Sequence, residues 1–146
     1  MIVVIQRVAN ASVKVKDKMV SSISNGMLIL LGISNSDSKE NIIKMTNKIS
    51  KLRIFNDENY IMNKNINQVF GEILVVSQFT LYGDTKKGNR PSYINAAKPE
   101  IAEPLYNMFV SELDKITTNK VKSGIFGANM LVDIINDGPV TLILEN

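Results

Sequence analysis

Apolar and polar positions along this chain follow two rhythms, which divide it into segments before any residue is read for chemistry. Ile2 to Val8 and Ala11 to Val15 alternate as strands do, with Val13 and Val15 set against Lys14 and Lys16. "MLILLGI", Met27 to Ile33, is apolar on both faces and reads as a central strand covered on both sides. The period then lengthens: in "DSKENIIKMTNKISKL", Ile42, Met45, Ile49 and Leu52 recur at helical intervals as one buried stripe. Asp37 followed three residues later by Glu40 has the spacing of a capping box at the start of that helix. "LRIFNDENYIMN" reads as a strand and hairpin around Asn56-Asp57, and Glu72 to Gln78 as a second strongly apolar strand. A second helix carries Leu105, Phe109, Leu113 and Ile116, with Pro99 and Pro104 tolerable only near its start.

Three late strands follow, near Lys120 to Ser123, Met130 to Ile135 and Val140 to Leu144. Asn136-Asp137-Gly138 would suffice for a hairpin turn between the last two. Pro139 is then surplus, because it removes a backbone donor where pairing should begin and restricts Gly138 before it. Strands outnumber helices and cluster at both ends. The expected fold is α+β, a curved, barrel-like antiparallel or mixed β-sheet core covered by two helices. With no internal repeat and no linker-like stretch, residues 1–146 are expected to form one domain.

Composition narrows the chemistry. Hydrophobic residues make up 45% and charged residues 21%, ordinary for a folded protein. No window approaches the about 18 uninterrupted apolar residues of a membrane span, and "MIVVIQR" lacks the features of a signal peptide, so a cytoplasmic protein without a membrane partner is expected. There is no cysteine and no histidine. A Ser-His-Asp triad, a Cys-His pair and a zinc-thiolate site are therefore impossible. "GDTKKGNR" lacks the spacing and the Ser or Thr of a phosphate-binding P-loop, and no Asp-x-Asp pattern suggests a magnesium site. No metal and no cofactor are expected. The net charge of +3 permits a polyanionic partner without demanding one. Its one dense source is Lys86, Lys87 and Arg90, in a stretch whose Gly83, Gly88 and Pro91 predict an exposed loop; it is either a solvated surface or a phosphate contact.

What remains is "VVSQFTLYGD", Val75 to Asp84, where an apolar strand runs directly into Ser77, Gln78 and Thr80. Sites concentrate at such strand ends, where a rigid scaffold meets a variable loop. Ser77 and Thr80 could equally do no more than satisfy local backbone groups. Thr80 as nucleophile has no visible base to activate it. Backbone N–H groups at the turn could instead form an oxyanion hole, worth about 2.7–4 kcal/mol per donor, sufficient for an already labile ester.

"SQFTLYGDTKKGNRPS" (77–92) and "NDGPVT" (136–141), with "GEILVVSQ" upstream and "FGANM" (126–130) between them, together resemble the D-aminoacyl-tRNA deacylase family, also called D-tyrosyl-tRNA deacylase. "IVVIQRVANASVKV" at the start and "AEPLYNMF" in the second helix extend the resemblance over the whole chain. It implies a homodimer that hydrolyses the ester joining a D-amino acid, or glycine, to the 3′-terminal adenosine of tRNA and spares L-aminoacyl-tRNA. It implies a cis Gly138-Pro139 bond, inserted from one subunit into the other's site, where main-chain atoms reject an L side chain. By the same resemblance Ser77, Gln78, Phe79 and Thr80 line the aminoacyl pocket, with main-chain groups near Phe79 and Thr80 holding the carbonyl oxygen. Arg7 braces the Gly-Pro element, Phe126 and Met130 flank the adenine, and the ribose 2′-hydroxyl assists cleavage. Tyr93 stands where Phe commonly follows "RPS", and Asp137 occupies a variable position. Phe79 and Val140 point to the D-specific branch and away from the sister family acting on misacylated L-alanyl-tRNA. The alternatives from the residues alone are a non-catalytic dimeric module that holds RNA ends and a plain dimerisation domain.

Overall fold

The computed structural model describes all residues, Met1–Asn146. Strand β1, Ile2–Val15, joins the two short strands expected at the start into one. Val3 and Ile5 are buried with one apolar cluster, whereas Val8, Ala11 and Val13 are buried with another. Strict alternation would not put Val8 and Val13 on the same face. The parity changes because Val8 and Asn10 pair with the consecutive residues Asn136 and Ile135, which leaves Ala9 as an extra residue, a β-bulge. One strand thereby serves two cores.

β2 (Lys18–Ile23) and β3 (Gly26–Gly32) pair antiparallel with the same edge of β1, β3 along its first half and β2 along its second. The chain next forms α1 (Lys39–Ser50), the short pair β4 (Phe55–Asn56) and β5 (Met62–Lys64), and β6 (Glu72–Ser77), which lies parallel to β3. After α2 (Pro99–Ile116), β7 (Lys122–Ser123) adds parallel to β6. In β3 and β6 the side chains alternate between the two cores: Met27, Ile29, Ile73 and Val75 meet the helices, while Leu28, Leu74 and Val76 fill the inside of the curved sheet. Both strands are covered on both faces, as their unbroken apolar runs require. The sheet comes close to a closed barrel where β7 faces β2. There side chains make the contact: Ser21 Oγ donates to Ser123 O at 2.7 Å, and Lys122 Nζ reaches both Ser22 O and Glu72 Oε1 at 2.7 Å. The fold is the expected α+β class, a mixed, barrel-like sheet with two helices. No helix is long and apolar enough to cross a membrane.

Two local expectations are corrected. The N-cap of α1 is Ser38, not Asp37, and its backbone N–H donates to Asn41 Oδ1 at 2.8 Å, so Asn41 takes the role expected of Glu40. Asp37 is engaged elsewhere, by the Met1 ammonium and by Ser34 N at 2.7 Å. In α2 the buried stripe is Ala102, Tyr106, Phe109 and Leu113, with Leu105 and Ile116 only half buried.

The larger correction concerns the end of the chain. No hairpin forms at Asn136-Asp137-Gly138. Leu131–Glu145 is one strand, β8, antiparallel to β1 along the edge opposite β2 and β3. Thr141 pairs with Gln6 and Asn136 with Val8, so the four residues Asp137 to Val140 stand opposite Arg7 alone. A β1 of 14 residues offers one continuous edge to both late strands, and the surplus residues are extruded as a loop. Pro139 falls within this loop and needs no ladder partner. The face of β8 is largely exposed, with Leu131, Ile134, Ile135 and Ile143 open to solvent.

Candidate active site

β6 and β3 end side by side. The Gln78 N–H still donates to Leu31 O at 2.8 Å, and the chain then turns into a 3₁₀ segment, Phe79–Tyr82. Within this turn Leu81 N bonds Gln78 O at 3.3 Å and Gly83 N bonds Thr80 O at 2.9 Å. The first donors of such a turn, here the N–H groups of Phe79 and Thr80, have no carbonyl inside it to serve. The close packing behind them depends on Gly32, where a Cβ would lie 3.1 Å from Gln78 O and 3.2 Å from Leu81 Cβ.

This strand end forms one wall of a pocket of about 440 Å³. Leu31, Ile33, Ser77, Gln78 and Phe79 come from the strand ends and the turn, Lys98, Pro99 and Ala102 from the start of α2, and Phe126 and Gly127 from the loop after β7. Tyr93, Ala96 and Ala97 complete the lining; Ala97 N donates to Ile33 O at 2.8 Å, which draws their segment against the end of β3. Phe79 is 57% exposed at the rim and meets Tyr93 edge to face, with ring centroids 5.1 Å apart. Phe126 is held from below by Tyr106, ring to ring at 5.5 Å. The Tyr106 hydroxyl donates to Val75 O at 2.8 Å, and burial pushes its pKa up to about 12. Val75 O also accepts from Gly124 N at 2.9 Å. A single carbonyl of β6 thus ties together the helix, the Phe126 loop and the strand that carries Ser77.

The chemistry available is sparse. Lys98 is the only ionisable lining residue besides Tyr93. Thr80 is exposed, and its Oγ1 accepts a hydrogen bond from Gln78 Nε2, an amide that cannot act as a base. No three acidic side chains come together as metal ligands. The arrangement offers an apolar cavity walled in part by the main chain of a 3₁₀ turn whose first N–H groups have no carbonyl partner within the turn.

Ser77, Gln78, Phe79 and Phe126 are thus brought to one cavity, with Thr80 in the turn beside it. Met130 is not among its lining residues. It packs beside Gly124 and against the cluster of Val8, Val13 and Leu28, drawn there because the β8 ladder begins at the next residue, opposite Lys14. Gly138 and Pro139 do not line the cavity either. They lie exposed on the β8 loop, joined by a cis peptide bond. Arg7 stands behind them, 6% exposed, its Nε donating to Asp137 O at 3.2 Å and paired with Asp137 Oδ2 at 3.0 Å, its Nη1 donating to Ile54 O at 2.7 Å. Lys86, Lys87 and Arg90 are exposed on the loop that follows the 3₁₀ turn. Lys98, Ala97 and Tyr106 were not picked out in the sequence. Tyr106 lies on the helical stripe and could have been suspected from its hydroxyl, since a buried tyrosine needs an acceptor; nothing local marks Ala97.

Comparison with known proteins bears on the same segments. The family model described as D-Tyr-tRNA(Tyr) deacylase matches residues 4–145. A relative from Flavobacterium psychrophilum named D-aminoacyl-tRNA deacylase is 57% identical over 144 residues, which is 99% of this chain and 96% of that protein. A solved structure named c-Myc DNA Unwinding Element Binding Protein is 44% identical, superposes with a TM-score of 0.94 and covers 100% of this chain and 99% of its own. Another, described as a probable eukaryotic D-amino acid tRNA deacylase, is 18% identical with a TM-score of 0.82, covers 98% of this chain and 97% of its own, and shows the shared fold.

Proposed function

The chain belongs to the D-Tyr-tRNA(Tyr) deacylase family, and from that membership we propose that it hydrolyses the ester of D-aminoacyl-tRNA, and of glycine mischarged onto tRNA, releasing the free amino acid. What supports the reading is the 3₁₀ turn, whose first N–H groups, those of Phe79 and Thr80, have no carbonyl partner inside the turn, next to an apolar cavity with no carboxylate or histidine in its lining. In this reading Ser77, Gln78, Phe79 and Thr80 form the catalytic wall, and Phe79 and Thr80 contribute their main chain. Water adds to the ester carbonyl, the two N–H groups take the charge that gathers on its oxygen, and the bond to the ribose oxygen breaks. The adjacent 2′-hydroxyl relays the water's proton to the departing oxygen. Phe126 stacks on the terminal adenine, as aromatic side chains do with unpaired bases. Met130 acts from behind, by packing the loop that carries Phe126.

Chirality is read by a second copy of the chain. Gly138 and Pro139 lie outside their own cavity, on an exposed strand flanked by apolar side chains, and Arg7 holds the loop from behind. In the homodimer this loop enters the partner's pocket, where its main chain leaves no space for an L side chain while a D side chain points away and glycine presents none. The whole chain acts as one deacylase domain, in the cytoplasm, where charged tRNA is found.

Incubation with D-tyrosyl-tRNA and L-tyrosyl-tRNA tests the reading. Free tyrosine should appear from the D ester only; equal rates on both, or none on either, refute it. One of the similar structures is named as a DNA-binding protein, and a non-catalytic nucleic-acid module is the competing reading. It would protect the ester and release nothing.

A further inference from the structure

The proposed deacylase site lacks a place for phosphate. Its lining is mostly apolar, with Lys98 as the single cation, whereas a nucleoside ester at the end of a polynucleotide brings a charged backbone with it. The segment after the 3₁₀ turn supplies the missing charge. It folds back on itself through Asp84 N to Ser92 O at 2.8 Å and Ser92 N to Asp84 O at 2.9 Å, with Gly88 at φ +91° near the tip. Both legs rise from the pocket: one leaves the turn at Gly83, and the other returns through Pro91 into Tyr93, which packs on Phe79. A Cβ on Gly83 would lie 3.1 Å from a Tyr93 ring carbon, so the two legs touch at their base.

Three cations occupy this hairpin. Lys86, Lys87 and Arg90 are all exposed, and none belongs to an ion pair within the chain. The one carboxylate within the hairpin, Asp84, accepts a hydrogen bond from the Lys86 backbone N–H at 2.8 Å, a turn-forming contact that does not engage the lysine ammonium. Each leg is short enough to keep the backbone of these residues within about 15 Å of Gly83 or Tyr93 at the base of the hairpin. With Asp84 counted, the hairpin carries a net charge of +2 out of +3 for the whole chain, a local excess that attracts a polyanion approaching the cavity.

We propose that the hairpin from Asp84 to Ser92 is the phosphate-binding arm of this site, in which Lys86, Lys87 and Arg90 hold the backbone of the single-stranded RNA end whose terminal nucleoside enters the pocket. This rests on the deacylase reading. It assigns the arm to substrate capture and not to the chemical step. The arm reads no base and confers no chirality, because phosphate contacts carry no sequence information.

The test is steady-state hydrolysis of D-tyrosyl-tRNA at several salt concentrations by the wild-type protein, by the triple variant Lys86→Ala/Lys87→Ala/Arg90→Ala, and by a control triple variant on the exposed face of α1 and its C-cap, Lys44→Ala/Lys48→Ala/Lys51→Ala. At low salt the arm variant should raise KM about tenfold and leave kcat within about twofold. Its log KM should rise with log salt less steeply than wild type by about 2, near 0.7 for each lost single-strand phosphate contact. The control should match wild type. An unchanged KM and salt slope in the arm variant, an equal change in the control, or a changed sedimentation coefficient that assigns the hairpin to a subunit contact would each overturn the proposal and leave the deacylase reading standing. Absence of turnover by the wild-type protein would remove both.

Discussion

Replacing Gly138 by alanine tests whether the β8 loop is a rigid, filled element or a slack one. The residue has φ +120°, which side chains of L residues rarely adopt, and holding alanine there costs about 1–3 kcal/mol. The added Cβ would stand 2.8 Å from Arg7 Nη2, 2.9 Å from Val140 Cγ2 and 3.1 Å from Val140 N. None of these yields easily. Arg7 is pinned to Ile54 O and Asp137, and Val140 leads directly into the resumed ladder at Thr141. Crowding of this kind adds about 1 kcal/mol or more. The sum, about 2–4 kcal/mol, is less than the about 5–15 kcal/mol that holds a domain of this size together, so Gly138→Ala should fold. Its melting temperature by circular dichroism should fall by about 5–15 °C. At a temperature well below that midpoint, its rate on D-tyrosyl-tRNA should drop at least tenfold, because the methyl group, crowded against Arg7 and Val140, displaces the main chain proposed to face the partner's substrate. A variant that melts with wild type would show that the loop has room to relax. One that melts early and hydrolyses normally would separate the loop from the site.

Two further outcomes follow from single contacts. Thr80→Ala should retain hydrolysis within about threefold in single-turnover assays, since the proposed donor is the backbone N–H and the hydroxyl merely accepts from Gln78; complete loss with an unchanged melting curve would restore side-chain attack as the mechanism. Glu72 is held down to about 2, first by its bond to Lys122 and then by Ser24 N, so the clasp between β6, β7 and β2 contributes above the ordinary Glu pKa of 4.5 and is lost as pH falls from there towards 2. The full displacement corresponds to about 3 kcal/mol, but Lys122 is 39% exposed, and about 1 kcal/mol is the expected effect. Urea midpoints at pH 7 and pH 3 should therefore converge in Glu72→Gln relative to wild type, and an undiminished gap would refute the assignment.

Much of this molecule could be read along the chain because its signals are local. The unbroken apolar runs of β3 and β6 require cover on both faces wherever they lie, and Ile42, Met45 and Ile49 define a helix face without knowledge of what it meets. The strand end at Ser77 and the turn after it were legible for the same reason. So was the exposed basic loop, through its glycines and proline.

Pairing was not legible, because a strand's sequence shows which faces it buries and not whose edge it joins. Met130 to Ile135 and Val140 to Leu144 satisfy a hairpin as well as they satisfy one interrupted strand. Only the length of β1, with a free edge from Ile2 to Lys14, decides for the latter and turns Asp137 to Val140 outward. The same ladder keeps Met130 out of the cavity that Phe126 lines although only three residues separate them, and it sets Arg7 beneath Gly138 across 131 positions. The sequence by itself determined both helices, the apolar strands and the turn after Ser77, and which atoms could do chemistry, but it left β2 unmarked and suggested a hairpin where one strand runs on. The tertiary structure decided which of those segments share a cavity, since contacts distant along the chain depend on the joint packing of both cores and leave no mark in any single segment.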